Sequence, residues 1–205
     1  MSFFTDNSKL GAASPFEPKR QFRWVISFSS IGGQESFMCK TAKKPSMTNE
    51  VIEHDFLNHK FKYPTKVKWE DIDVTFIDAF QANMGSRFYN IVRGAGYKQP
   101  TSFQESLVGL TKSQMLQSVG QVTLRQLDGG GVESSLPDTI SADATPEFLA
   151  GNIREEWKLV NAQIASVQFG ETLSYAETGL VEVSVKLAYD FAEYEEFTPG
   201  KPYMG

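Results

Sequence analysis

Leu180-Val-Glu-Val-Ser-Val-Lys-Leu-Ala-Tyr-Asp-Phe191 is the stretch that decides the fold class. Val181, Val183, Val185, Leu187, Tyr189 and Phe191 fall on one side of an extended chain. Glu182, Ser184, Lys186, Ala188 and Asp190 fall on the other. Successive strand side chains point to opposite faces, so a period of two reads as a strand buried on one face and wet on the other. The same period appears in Ile72, Val74 and Phe76 and in Phe22, Trp24, Ile26 and Phe28, and Val122–Leu127 reads as a further strand. Glu156 to Phe169 reads as one long strand, with Trp157, Leu159, Ala165, Val167 and Phe169 together. Gly32-Gly33 predicts a turn after the first strand. Glu35 to Lys40 then reads as its returning partner, with Phe37 and Cys39 on one face.

A helix follows the strand at residues 71–77. Asp78 stands three residues before Gln81, a capping-box spacing. Phe80, Met84, Phe88, Ile91 and Val92 recur at helical spacing, and Gly94 supplies a left-handed stop. Ser102/Glu105 and Thr111/Gln114 have capping spacing too, so residues 97–120 predict short helical pieces. Six or seven strands and one main helix give a mainly β, α+β chain: an antiparallel sandwich or small barrel with a helix on it.

The 205 residues allow one domain. Residues 1–18 have no period and read as an N-terminal arm carrying Phe3, Phe4 and Phe16. Residues 19–195 form the β domain, and 196–205 a C-terminal tail that reads as loose from about Glu193. Inside the domain, residues 43–68 stand apart. Lys43, Lys44, Lys60, Lys62, Lys66 and Lys68 dominate them, between Pro45 and Pro64, around Asn58-His59. They predict a long, polar, extended hairpin. Residues 128–154, with Gly129 to Gly131, read as a surface insertion.

No pattern for chemistry emerges. Hydrophobic residues at 40% and aromatics at 13% exclude general disorder. Cys39 is the single cysteine and reads as inert filler on an apolar strand face. His54 and His59 have no third His, and the single Cys39 reads as filler on an apolar strand, so no metal set is expected. Gly94-Ala95-Gly96 follows a helix, where a dinucleotide fingerprint follows a strand. No phosphate loop or nucleophile elbow is present. Asp71 and Asp73 share one strand face, whereas paired acid–base carboxylates usually come from elements across a cleft. The expectation is no catalytic, cofactor or metal site. A net charge of −5 argues against a general nucleic-acid grip. No apolar run reaches the ~18 residues of a membrane span and no signal h-region is seen, so no membrane binding is expected and the cytosol is the default. The charge is split: residues 1–70 hold 11 Lys/Arg against 7 Asp/Glu, and residues 71–205 hold 9 against 18. That split suits subunits meeting head to tail, positive surface on negative.

The order of segments resembles the tail tube protein of T-even-type contractile-tailed bacteriophages. The similarity runs through Phe22 to Ser27, Phe37-Met38-Cys39-Lys40 and Pro45. It resumes at Phe56-Leu57-Asn58-His59-Lys60, similar to the family's Phe-Met-Asn-Arg-Lys. Trp69-Glu70-Asp71 with Val74 is similar to its Phe-Asp-Asp-Trp-x-Val, and Leu187-Ala188-Tyr189-Asp190-Phe191 to its Leu-Ala-Leu-Asp-Tyr. Residues 128–154 are extra to the family pattern, and Met-Asn-Arg is here Leu-Asn-His.

The resemblance implies hexameric rings whose sheets join into a continuous inner β-barrel. Rings stack helically into a tube, with tail sheath, baseplate and tube-terminator proteins as partners. DNA passes through transiently and without specificity. The protein would belong to the virion, after assembly in the host cytoplasm. Under this reading Phe3, Phe4, Phe16, Lys43, Lys44, Phe56, Asn58, His59, Lys60 and Lys62 are the inter-ring candidates. Asp71, Asp73, Thr75, Glu182, Ser184, Lys186 and Asp190 are the candidates for a net negative lumen. Two alternatives remain: a tube ring protein of a bacterial contractile injection or type VI secretion system, and a monomeric β-sandwich carbohydrate-binding module.

Overall fold

A computed structural model describes residues 19–31, 35–107, 109–127, 153–176 and 178–197. Sheet I is four-stranded, in the order β1 (Trp24–Phe28), β6 (Val122–Leu127), β7 (Ile153–Val160), β10 (Phe191–Glu196). Sheet II, also four-stranded, runs β2 (Cys39–Ala42), β5 (Ile72–Ile77), β9 (Glu182–Ala188), β8 (Gln163–Gln168). All these pairings are antiparallel. β3 (Ser46–Phe56) and β4 (His59–Glu70) form a separate two-stranded hairpin. Four helices complete the described residues: α1 (Glu35–Met38), α2 (Met84–Gly94), α3 (Phe103–Ser106) and α4 (Lys112–Val119). The fold is mainly β with α elements, as the alternation predicts.

The core lies between the sheets. Ile26, Phe28, Leu124 and Leu159 from sheet I meet Ile72, Val74, Phe76, Val183, Val185 and Leu187 from sheet II. Met84, Phe88 and Ile91 of α2, with Met115 and Val119 of α4, join the same cluster. Phe88 ties helix to sheets, with its ring 5.2 Å from Phe76 and 6.0 Å from Phe28. Thr111 caps α4, its hydroxyl accepting from the Gln114 N–H. Gly120 ends α4 at φ +68°, and a Cβ there would lie 2.1 Å from the Ser29 hydroxyl. Only glycine fits both the left-handed backbone and that approach.

Several expectations are corrected. The two long strands are each broken. Residues 160–163 and 188–191 carry the chain from one sheet to the other, so Glu156–Phe169 becomes β7 and β8, and Leu180–Phe191 becomes β9 and the start of β10. Asn161 takes φ 57° at the first crossing. Val181 and Phe191, placed in the buried face by alternation, lie outside β9 and are exposed. Glu193–Glu196 is not loose tail but the edge strand of sheet I.

Glu35–Met38 is a helical turn rather than strand, which leaves Phe37 exposed. β2 then pairs with β5 rather than returning along β1. Phe22 precedes β1 and is exposed. Phe80 does not join the α2 stripe. Residues 78–83 form a loop in which the Asp78 carboxylate accepts from the Met84 N–H at 2.8 Å, and Asn83 is the N-cap. Phe80 points to solvent as a result. The left-handed glycine after α2 is Gly96, at φ +106°, rather than Gly94. The Gly32-Gly33 turn, the arm with Phe3, Phe4 and Phe16, and all but Ile153 and Arg154 of the insertion at 128–154 lie outside the described residues.

Candidate assembly surfaces

The hairpin begins where Ser46 pairs with Glu70 and ends at the Phe56–His59 pair, with Leu57 at φ 52° in the turn. The register slips between Asn49 and Val51, and this irregularity admits Pro64, which has no N–H for a ladder. Beyond the slip the register sorts the side chains. Ile52 opposes Tyr63, His54 opposes Phe61 and Phe56 opposes His59 on one face. Glu53 opposes Lys62 and Asp55 opposes Lys60 on the other. The charged face is self-paired: Lys60 lies 3.4 Å from Glu53 and 3.8 Å from Asp55, and Lys62 lies 3.7 Å from Glu53. The apolar face is bare, with Ile52, Phe56, Phe61 and Tyr63 each 47–61% exposed.

The expected hairpin candidates therefore divide. Phe56 and His59 stand on the bare face, Lys60 and Lys62 on the paired one, and Asn58 in the turn. Ile52, Phe61 and Tyr63 were not singled out by sequence reasoning. Their signal is the alternation 52/54/56 and 59/61/63, which interleaved lysines mask.

The segment before β1 and the root of the hairpin meet on one carboxylate. Lys19, where the chain emerges from the arm, and Lys44, just before the hairpin, both donate to Glu155 of β7. Glu155 is 4% exposed. Gln126 beside it donates to the carbonyls of Arg20 at 2.7 Å and Arg23 at 2.5 Å. Burial pushes the Glu155 carboxyl up, but the hydrogen bonds and charges of Lys19 and Lys44 outweigh it and hold the group below its ordinary value. The same hydrogen bond raises Lys19. At the other root, Trp69 packs on Tyr189 with centroids 6.0 Å apart.

The outward face of sheet II gathers most of the expected lumen residues. Asp73 opposes Lys186, and Thr75 opposes Ser184. Lys186 lies 3.9 Å from Asp73, and Lys40 donates to Glu182. Asp71 is exposed in the single-residue gap between β4 and β5. Asp190 does not join this face. It sits at the sheet crossing, where it accepts from Lys112 at 2.7 Å and from Asn161 at 2.7 Å, and these bonds lower its pKa. With Lys40 added and Asp190 removed, the face is balanced to within one negative charge.

A cleft of about 510 Å³ opens between the β1 and β2 edges, lined by Lys19, Arg20, Lys40, Lys44, Trp24 and Gln126 among others, with no carboxylate in the lining among the described residues. Cys39 borders the same region, and burial pushes its thiol up to about 12, an unreactive state. Among the described residues no group of three His, Cys, Asp or Glu is placed to hold a metal. Among these residues no helix is long and apolar enough to cross a membrane.

No protein family and no curated protein matches the chain. Solved structures do. A chain of the anti-feeding prophage tube-terminating cap is similar at 13% identity and TM-score 0.57, covering 91% of this chain and 96% of that one. A chain from the sheath-tube complex of an extracellular contractile injection system in the extended state is 13% identical at TM-score 0.57, covering 94% and 99%. A chain from the sheath/tube terminator of such a system is 14% identical at TM-score 0.56, covering 90% and 99%. Over nearly its whole length, the chain has the fold of these components of contractile injection assemblies.

Proposed function

We propose that the protein is a structural subunit whose rings stack into the tube of a contractile injection apparatus. The observation that carries this reading is the hairpin. Two strands with a bare apolar face are marginal alone in water, so Ile52, Phe56, Phe61 and Tyr63 call for a surface to cover them. A neighbouring ring supplies it. Sheet II supplies the ring itself: among the described residues its β2 and β8 edges are unpaired, and edge-to-edge joining around six copies closes an inner barrel without free edges. The polar face of that sheet, with Asp73, Thr75, Glu182, Ser184 and Lys186, then lines the bore, and the apolar face packs under sheet I and the helices.

Within this class the tail tube of a T-even-type phage is the specific reading, with sheath, baseplate and terminator as partners and DNA as cargo. A near-neutral, ion-paired bore binds phosphates weakly, which suits passage without sticking. The tube of another contractile injection system is the alternative, and likeness to both tube-complex and terminator components supports the shared reading equally.

The test is a hairpin variant. Phe61→Asp with Tyr63→Asp adds charge to the bare face without touching the core. The expected result is folded subunits that form single rings and no tubes. Tubes of normal length from this variant would contradict the inter-ring role.

A further inference from the structure

We infer that ring closure is set by opposite charges on the two lateral edges, the acidic strand β10 of one copy seating against the basic β1/β2 cleft of the next. The inference rests on the ring-forming reading above. It assigns the charge split of the sequence to contacts within a ring rather than between rings.

The topology puts β1 and β2, the open edges of the two sheets, beside one cleft. The opposite edges are β10 and β8. The two sides differ in sign. Among the described residues, Lys19, Arg20, Lys40 and Lys44 line the cleft and no acid does. β10 carries Glu193, Glu195 and Glu196 within its six residues, all exposed. Each side also carries apolar anchors: Phe22 in the hollow beside the cleft that shares Gln21, Trp24 and Lys40 with it, 75% exposed, and Phe191 and Tyr194 on β10, 44% and 47% exposed. Some of these charges are also paired within the subunit: Lys19 and Lys44 with Glu155, Lys40 with Glu182 and Glu195 with Lys158, so by count the four cleft cations exceed Glu155 and Glu182 by two.

The occupant follows from this arrangement. Acidic edge strands repel one another, as do basic clefts, so symmetric pairing of like edges is disfavoured. Unlike edges attract, and a head-to-tail contact between different surfaces of identical subunits is the kind that closes a ring. Fixed charge on an edge strand also guards it against indiscriminate pairing in the free subunit. A second copy of this chain presents both surfaces in equal number.

The experiment uses two full-length variants. Glu193→Lys with Glu195→Lys makes both edges basic, and Arg20→Glu with Lys40→Glu makes both acidic. Both are read by sedimentation and electron microscopy at about 0.1 M salt, where screening extends ~10 Å, with circular dichroism as the fold control. Expected are wild-type rings, no rings from either variant alone, and rings on equimolar mixing, because alternating copies restore every unlike contact. Rings from either variant alone, or folded variants that give none when mixed, would overturn the inference. A milder pair, Glu193→Gln with Glu195→Gln, tests the same edge and should weaken ring formation about tenfold; unchanged ring formation would count against it. A wild-type chain that stays monomeric removes the ring reading instead, and this inference with it.

Discussion

Glu155 ties the segment before β1 to the root of the hairpin. Its carboxylate takes Lys19 from the arm side and Lys44 from the hairpin side. Its folded-state pKa lies below the ordinary value. Its contribution is therefore present above the unfolded carboxylate range and is lost as pH falls through the lowered folded value. Hydrogen exchange at residues 19–23 and 43–46 should accelerate as pH drops below about 4, beyond the intrinsic trend. Glu155→Gln should abolish that extra step and cost about 1.5–3 kcal/mol at neutral pH. Exchange there that is indifferent to both would show that the clamp does not hold the roots. A second residue-scale test separates the α2 stripe from its false member. Phe88→Ala should cost about 3–5 kcal/mol in denaturant unfolding, whereas Phe80→Ala should fall within about 0.5 kcal/mol of wild type. None of the Glu155 bonding was legible in the sequence: Lys19 and Glu155 are 136 residues apart, and no local pattern joins them.

At the scale of elements, alternation read well where a strand stays in one sheet. β5 and the middle of β9 bury the residues it names, because one face meets a continuous core. It failed at 160–163 and 188–191. There the chain turns a corner and alternation resumes on the far side, so the letters show no break. The helix was placed correctly but started early, because Asp78 caps it across a loop instead of standing at its first turn. The hairpin's existence was legible in its lysines and prolines. Its bare face was not, because that face appears only once the cross-strand register is known. The outward face of sheet II carries a prediction of its own. Period two moves its residues together, so Asp73 and Glu182 share one fate. Replacing both with Lys should leave rings intact, yet retain DNA in the tube and slow ejection if the phage reading holds, measured by dye-release kinetics. Unchanged kinetics would show that bore charge does not govern transit.

For the whole molecule, the basic first third and acidic remainder are not a random scatter of solvated charge. Folding brings Lys19, Arg20, Lys40 and Lys44 to one cleft and Glu193, Glu195 and Glu196 to the edge strand β10. Glu155 and Glu182 pair with three of the cleft cations, and the hairpin carries an exposed apolar face. One set of contacts answers to salt and the other to hydrophobic burial. Ring closure should weaken as salt shortens the screening length to ~3 Å at 1 M, and stacking should not. The central claim, self-assembly through these surfaces, meets its most direct test in negative-stain electron microscopy of the purified full-length chain across a concentration series. The account predicts rings of uniform diameter with an open bore, growing into tubes as concentration rises. Monodisperse single subunits at every concentration, confirmed by sedimentation, would contradict it.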